Sequence, residues 1–582
     1  MSPTATTQHI GLSQALRHTG LGLALLWALL ISTGCAVLPT PLLLDSATAS
    51  PQTVACADWY AALDTQTELA AVRDAGTTRI AGFAHLRVDR FTASLRDTLP
   101  PDAGNTPTAT AALVLRLQQL DQQARSAEVA NLPPAALAQL AQTAGSAATP
   151  PATQAVLRRT QDCAGHLTRY TLSTPEHISS LLARLAVPDD YVTRYRLLGA
   201  YAVTRYPFAS GIRRFEAQRS AVFATAGATP VAGATQAFST TPTGSTRQHL
   251  SPPTPSPALS AAEISRMLAP PAQDPLRVPA PTPEQTQQLL AHFAPSFSLA
   301  IDSKDDQPGE LVWRPSITPG APDTLEVNTQ SPVVYSQTAF TRYGPHSLLQ
   351  LVYTLWFPAR PAAPGSGVDL LAGKLDGITW RVTLAPDGTP LVYDTIHPCG
   401  CYHMFFPSPA ARAKPAPQPG IEWAFVPQSL PHLSLQQRLV VHVAAGTHYI
   451  DRISVEPVES TRGATPGAAT SAAPYGWRSY DSLRSLPTTA STAHPAQTAQ
   501  TAPALTPQAP GKATHRSIFG PGGFIAHTDR TERFIFWPMG IPRAGAMRQW
   551  GRHASAFVGR RHFDDAALME LRFEFDPVHF KP

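Results

Sequence analysis

"ITWRVTLAPDGTPLVYDTI", residues 378–396, decides the fold class. Trp380, Val382 and Leu384 alternate with Arg381 and Thr383, "PDG" turns the chain, and the run from Leu391 to Ile396 returns, so the segment reads as an antiparallel hairpin. Upstream, "SLLQLVYTLWF" (347–357) is almost continuously apolar, as expected of a central strand covered on both faces. Downstream, "RLVVHVAAGTHYIDRISV" (438–455) reads as a second hairpin. Near the end, "MELRFEF" alternates Met569, Leu571, Phe573 and Phe575 with Glu570, Arg572 and Glu574, which predicts a strand with one wet face.

The chain before this body has the other period. Residues 51–224 read as a helical domain. In "STPEHISSLLARLAVPDD" (173–190), Ser173 and Glu176 have capping-box spacing, Pro175 lies in the first turn, and Ile178, Leu181, Leu182 and Leu185 form one stripe. "TAALVLRLQQLDQQARSAEVANL" (110–132) and "DDYVTRYRLLGAYAVTRYPF" (189–208) are similar. The Arg and Tyr content of the latter, continued by Arg213 and Arg214, suits either a face for acidic headgroups or glycans, or a solvated helix surface. Helices come first and strands follow, so the class is α+β with a mostly antiparallel β-rich part, not a βαβ parallel sheet.

With 582 residues, 59 Pro and 36 Gly, the chain exceeds one compact body and must contain linkers. One is expected over 225–281, with a short helix near 261–268 opened by Ser260 and Glu263. Thr282, Pro283 and Gln285 open another helix where the β-rich domain begins, and that domain runs over 282–458. A low-complexity insertion follows at 459–514. Its island "YGWRSYDSLRSLP" (475–487) carries Tyr475, Trp477, Tyr480 and Leu483, which predicts docking on the body or on a partner. Residues 515–582, with the strand-like "GFIAHTDRTERFIFWPMGIP" (523–542), are expected to complete the sheet.

The N-terminus gives an address. Arg17 precedes eleven apolar residues, Leu21 to Ile31, which as a helix span only ~16 Å, too short for a hydrocarbon core near ~30 Å but right for a secretory signal. "ISTGC" (31–35) resembles the lipobox of bacterial lipoproteins. The resemblance implies a signal peptide over 1–34, acylation of Cys35, a tether over 35–50 and membrane attachment through the lipid. Ala36 and Val37 lack the aspartate that marks inner-membrane retention in that class, so it implies the outer membrane, facing the periplasm. An ordinary signal peptide or an uncleaved anchor is the alternative. The mature chain resembles uncharacterised bacterial envelope proteins.

Export leaves four cysteines in two separated pairs. Cys56 and Cys163 are disulfide candidates in an oxidising compartment, with two buried thiols as the competing reading. The other pair lies in "DTIHPCGCYHMFF" (394–406), where His397, Cys399, Cys401 and His403 alternate just after the hairpin. Extended, the two histidines would stand nearly ~20 Å apart, but Pro398 and Gly400 favour a reversal. A bent segment can hold zinc or copper through these four residues. The cysteines can instead form a strained local disulfide, or pack as thiols beside histidines bonded to the backbone.

A second constellation is "RAGAMRQWGRHASAFVGRRHFDD" (543–565). Arg543, Arg548, Arg552, Arg560 and Arg561 are candidates for an anion site, or for a network neutralised by Asp564, Asp565 and Glu532. The excess of +5 is too mild for a nucleic-acid partner. There is no HExxH, GxSxG or phosphate loop, and no GxGxxG set between a strand and a helix. The reading is therefore a lipid-anchored envelope protein with a non-catalytic binding or structural role, whose partner is an envelope protein or an anionic glycan or lipid. The alternative is a metal-dependent, hydrolase-like envelope enzyme acting on an anionic substrate, with Asp394 or Asp376 as its base.

Overall fold

The structure is a computed structural model. It describes residues 44, 49–99, 107–145, 151–227, 246–253, 259–316, 318, 321–363, 365, 367, 369–458, 473–488 and 514–580. The expected signal peptide, Cys35, most of the tether, residues 228–245 and 254–258 of the expected linker, and most of the insertion 459–514 lie outside these residues. The fold is α+β, with helices first and mainly antiparallel sheets after them. Among the described residues no helix is long and apolar enough to cross a membrane.

The hairpin at 378–396 forms the middle of a six-stranded sheet. Its strand order is Met404–Pro407, Pro390–Ile396, Gly373–Leu384, His346–Arg360, Val333–Tyr343, Gly476–Ser479, antiparallel except for the last pair. The central strand His346–Arg360 explains its own composition. Leu351, Tyr353, Leu355 and Phe357 pack into one core with Trp380 and Val382, while Trp356 enters another with Leu311, Trp313 and Tyr335. Both faces are covered, so neither alternates with polar residues.

A five-stranded sheet packs on the first face. Its order is Ile450–Pro457, Gln437–Val443, Ser296–Ile301, Thr246–Ser251, Ala473–Pro474, and Phe297, Leu299, Val441 and Ile453 fill the shared core. The strand Thr246–Ser251 arises inside the expected linker. Its polar sequence pairs with Ser296–Ile301, a long-range ladder that no local pattern announces.

The helical part contains Pro51–Leu69, Pro107–Ala130 and Ala152–Thr171, with shorter helices between them and Tyr201–Gly227 at its end. Cys56 and Cys163 are bonded, with Cα atoms 5.0 Å apart, and tie the first of these helices to the third. A hairpin, Thr78–Ile80 with Phe83–Val88, interrupts the helices and differs from the all-helical expectation. Its Arg87 enters a sealed ion cluster. Arg87 meets Asp121 at 3.0 Å and Glu128 at 2.7 Å, and Arg125 meets Asp64 at 2.6 Å and Glu128 at 3.1 Å, all essentially without solvent exposure.

Two sequence details change. Thr174, not Ser173, caps Pro175–Arg184, because its side chain accepts from His177 N. "MELRFEF" splits into a helical turn, Leu568–Arg572, and a strand, Phe573–Phe575. Leu571 is exposed while Met569 is buried, so the period-two pattern fails in its first half. That strand pairs with Ala411–Ala413 in a separate ladder. Residues 515–580 therefore complete the cores with side chains and add no strand to the six-stranded sheet.

The island Gly476–Ser479 does add a strand, parallel to Val333–Ser336, and it buries Tyr475, Tyr480 and Leu483. Just beyond it, Leu486 pairs with Arg516 and Pro487 with His515, and Thr488 N donates to Thr514 O at 3.0 Å. The helical part is fastened to the body by Arg90, which binds Asp190, Asp564 and Gly551 O, and by Arg484, which binds Asp74.

Candidate functional site

The stretch 397–403 is a reversal between two strands. His397 N donates to Cys401 O at 3.0 Å and Gly400 N to His397 O at 2.7 Å, and the chain then returns as Met404–Pro407. Gly400 has φ +92°, and a Cβ there would lie 2.6 Å from Ala554 O. Only glycine fits both constraints.

The reversal brings the two cysteines together and turns the histidines apart. Cys399 is buried and Cys401 half-buried, both as free thiols. The hydrogen bond between them, with burial, pushes the Cys401 thiol well up. The Cys401 thiol is therefore protonated at neutral pH and makes a weak ligand or nucleophile.

His397 Nδ1 lies 3.1 Å from Asp376 Oδ1, whereas His403 Nε2 lies 2.9 Å from Asp394 Oδ2, and Arg381 grips Asp394 from the other side. Burial, with Arg561 nearby, pushes His403 down to about 3 despite Asp394, so the neutral ring donates its Nε2–H to the carboxylate. Asp376 and Asp394, the two expected bases, are both committed to these pairs. Among the described residues no group of three His, Cys, Asp or Glu side chains is placed to hold a metal ion.

The sequence reading missed one partner. His448, from the loop of the second hairpin, places Nδ1 2.9 Å from Asp376 Oδ2 and Nε2 3.3 Å from Asp306 Oδ1. Burial opposes its imidazolium, but the hydrogen bonds and charges of the two carboxylates outweigh that and raise its pKa. Arg530 stands 3.7 Å from Asp376, and Arg360 reaches Tyr449 OH at 3.2 Å and lies over the Tyr449 and Tyr402 rings. Glu532, also buried, is pushed up to about 7 by desolvation, against the lowering effect of Arg530 and Arg360.

Leu375, Tyr402 and His448 all have positive φ, so backbone strain collects at this centre. Yet the centre is closed. The cavity beside it, lined by Cys399, Cys401, Tyr402 and Glu422, holds about 20 Å³, room for about one water.

The arginine segment is likewise internally engaged. Arg543 forks onto Asp529, Arg552 meets Asp190 at 2.9 Å, and Arg560 pairs with Asp189. Buried Arg548 donates to the carbonyls of Pro542 and Arg543, and Arg561 to those of Trp423 and Ser555. The five candidates are thus spread over separate partners.

The open site lies elsewhere. Along the strand Val333–Tyr343, the parallel ladder with the island stops at Ser336. Beyond it a cleft of about 1170 Å³ opens between the sheet and the helices. Arg116, Gln119 and Gln123 line it from one face of Pro107–Ala130, and Glu284, Gln287 and Gln288 from one face of Pro283–His292. Trp477, Trp550 and Phe340 supply rings.

The charges in this wall are largely spoken for: Arg116 by Asp274, Arg478 by Glu310, Arg484 by Asp74, Asp564 by Arg90. Three buried polar atoms have no partner in the protein, namely Gln337 Nε2, Gln549 Oε1 and Thr77 Oγ1. No sequence motif marks this cleft, because its residues come from many segments scattered along the chain, from Asp74 to Asp564. Comparison with protein-family models, curated proteins and solved structures found no match for the chain.

Proposed function

We propose that this is an exported, lipid-anchored envelope protein that binds a neutral, polyhydroxylated ligand, such as an oligosaccharide, in the cleft between its helices and its main sheet. The cleft carries the reading. Its volume suits an extended ligand, its amides can donate and accept, its rings offer flat faces, and its three unpartnered buried polar atoms await hydrogen bonds. With the wall arginines already paired, an anionic ligand gains little there. The Cys56–Cys163 bond and the lipobox-like ISTGC support an oxidising compartment and a lipid anchor. In this reading the 397–403 reversal is a packed lock with no metal, and the enzyme alternative lacks room for a substrate beside it.

The test is equilibrium binding of the mature, unlipidated chain to uncharged tetrasaccharides, with a sulfated tetrasaccharide as control. Weakening of the uncharged ligand by about tenfold or more, ~1.4 kcal/mol, in Trp550→Ala and Gln549→Leu supports the reading. Binding untouched by both variants places the ligand elsewhere. A second reading rests on the unpaired stretch after Ser336, which offers a strand edge to an extended peptide. Saturation by a polar peptide and not by the sugars favours it.

A further inference from the structure

Half of the large hydrophobic side chains exposed among the described residues fall in two short segments: Leu197, Leu198, Val203 and Tyr206 in one, Phe534, Ile535 and Trp537 in the other. The segments are packed together. Val192 N donates to Gly540 O at 2.8 Å, Arg196 Nε to Met539 O at 2.8 Å, the Phe208 and Phe536 rings lie 5.4 Å apart, and a Cβ on Gly199 would meet Pro538 at 2.4 Å. Leu197 is 76% exposed and Phe534 66%. Side chains of this size, gathered rather than scattered, mark a surface that is covered in use.

The charge around them has one sign. Residues 193–227 hold six arginines against one glutamate, Glu216, and no aspartate or lysine. That excess of five equals the formal charge of the whole chain, +5. Arg194, Arg205 and Arg533 lie over the neighbouring Tyr195, Tyr206 and Phe534 rings, and exposed Arg213 and Arg214 continue the helix that carries Val203 and Tyr206. Two acids stand at this edge, Asp529 and Asp189, and both are already paired, the first with Arg533 and Arg543 and the second with Arg560. Aromatic and leucine side chains between arginines are the composition that settles at the headgroup level of an anionic bilayer.

We propose that this face rests on the surface of a membrane rich in anionic lipid. The inference relies on the envelope reading above for its setting. A lipid at Cys35 would stand about fourteen residues before Ser50, a chain length of up to ~50 Å, so the anchor by itself does not specify which face of the body meets the membrane. The apolar face would fix its orientation, with the arginines on the headgroups.

Vesicle co-sedimentation of the mature, unlipidated chain tests this, using phosphatidylcholine alone and phosphatidylcholine with about a third phosphatidylglycerol. The expected result is binding to the anionic vesicles that falls with salt. It should fall at least tenfold in Leu197→Ser/Leu198→Ser/Phe534→Ser and in Arg194→Glu/Arg205→Glu, with unchanged thermal unfolding. Absence of binding, or binding that both variants keep, overturns the proposal. Self-association lost in the same variants, without vesicle binding, overturns it in favour of a second copy of the chain. Lipid anchoring is tested separately by fractionating cells that express Cys35→Ala, so failure of the anchor and failure of the face are distinguishable.

Discussion

His448 lies flat on Phe357, with ring centroids 4.1 Å apart and planes 4° from parallel. The stack holds the imidazole ring edge-on between Asp306 and Asp376, which its two nitrogens face. His448→Phe keeps a ring at this place and strips both carboxylates of their shared partner. A loss of about 3–5 kcal/mol is expected, as for a buried pair broken from one side, and urea unfolding at pH 6 measures it. Because the folded pKa is raised, the contribution of His448 is fully present below the unfolded value of about 6.5 and fades as pH rises through the folded one.

Glu532 gives a second pH dependence. Its folded pKa of about 7 exceeds that of an unfolded glutamate, so between roughly pH 4.5 and 7 the folded state holds a proton that the unfolded state has released. Stability from this group falls with rising pH across that window. His403, held down to about 3, acts in the opposite sense below about pH 6.5. The useful quantity is therefore the difference between the parent protein and Glu532→Gln. It should tilt toward the variant as pH rises from 4.5 to 7 and level off above; a flat difference would falsify the assignment.

The Cys56–Cys163 bond spans 107 residues. In the chain-entropy model, opening such a loop costs about 4–5 kcal/mol. Cys56→Ser/Cys163→Ser should lower the thermal midpoint clearly, and reductant should lower that of the parent and leave the variant unmoved. Thiol titration in denaturant should find Cys399 and Cys401 reactive without reductant, since both are free.

Glu128→Gln tests the sealed ion cluster. Arg87 and Arg125 would keep Asp121, which both touch, and Arg125 would keep Asp64, but both would lose the charge of Glu128. A loss of about 3–5 kcal/mol in denaturant unfolding is expected. Arg125→Met together with Glu128→Met should recover part of it, because apolar replacements of a buried pair avoid the desolvation cost.

The hairpin at 378–396, the apolar centre of His346–Arg360 and the capping boxes at Ser260 and Thr282 were legible because local physics determines them. Thr246–Ser251 was not, since a polar strand exists only through its neighbour Ser296–Ile301. The same contrast runs through the sites. The four residues at 397–403 announce themselves by spacing, but spacing does not tell that His397 faces Asp376 and His403 faces Asp394, on two different strands. His448 lies about fifty residues downstream of both. Its positive φ and its place in the turn of "AAGTHYID" were the available signals, and only the first needs coordinates.

The short ladder of Leu486–Pro487 with His515–Arg516 sets a rule for change in this chain. It holds Thr488 and Thr514 one hydrogen bond apart, so the two chain ends that flank residues 489–513 are already brought together by the body itself. Closure entropy across such a clasp grows only with the logarithm of the length between its ends, and doubling that length costs about 0.6 kcal/mol. A reporter inserted between Thr488 and Thr514 is thus expected to leave the ladder, the two sheets and the cleft in register.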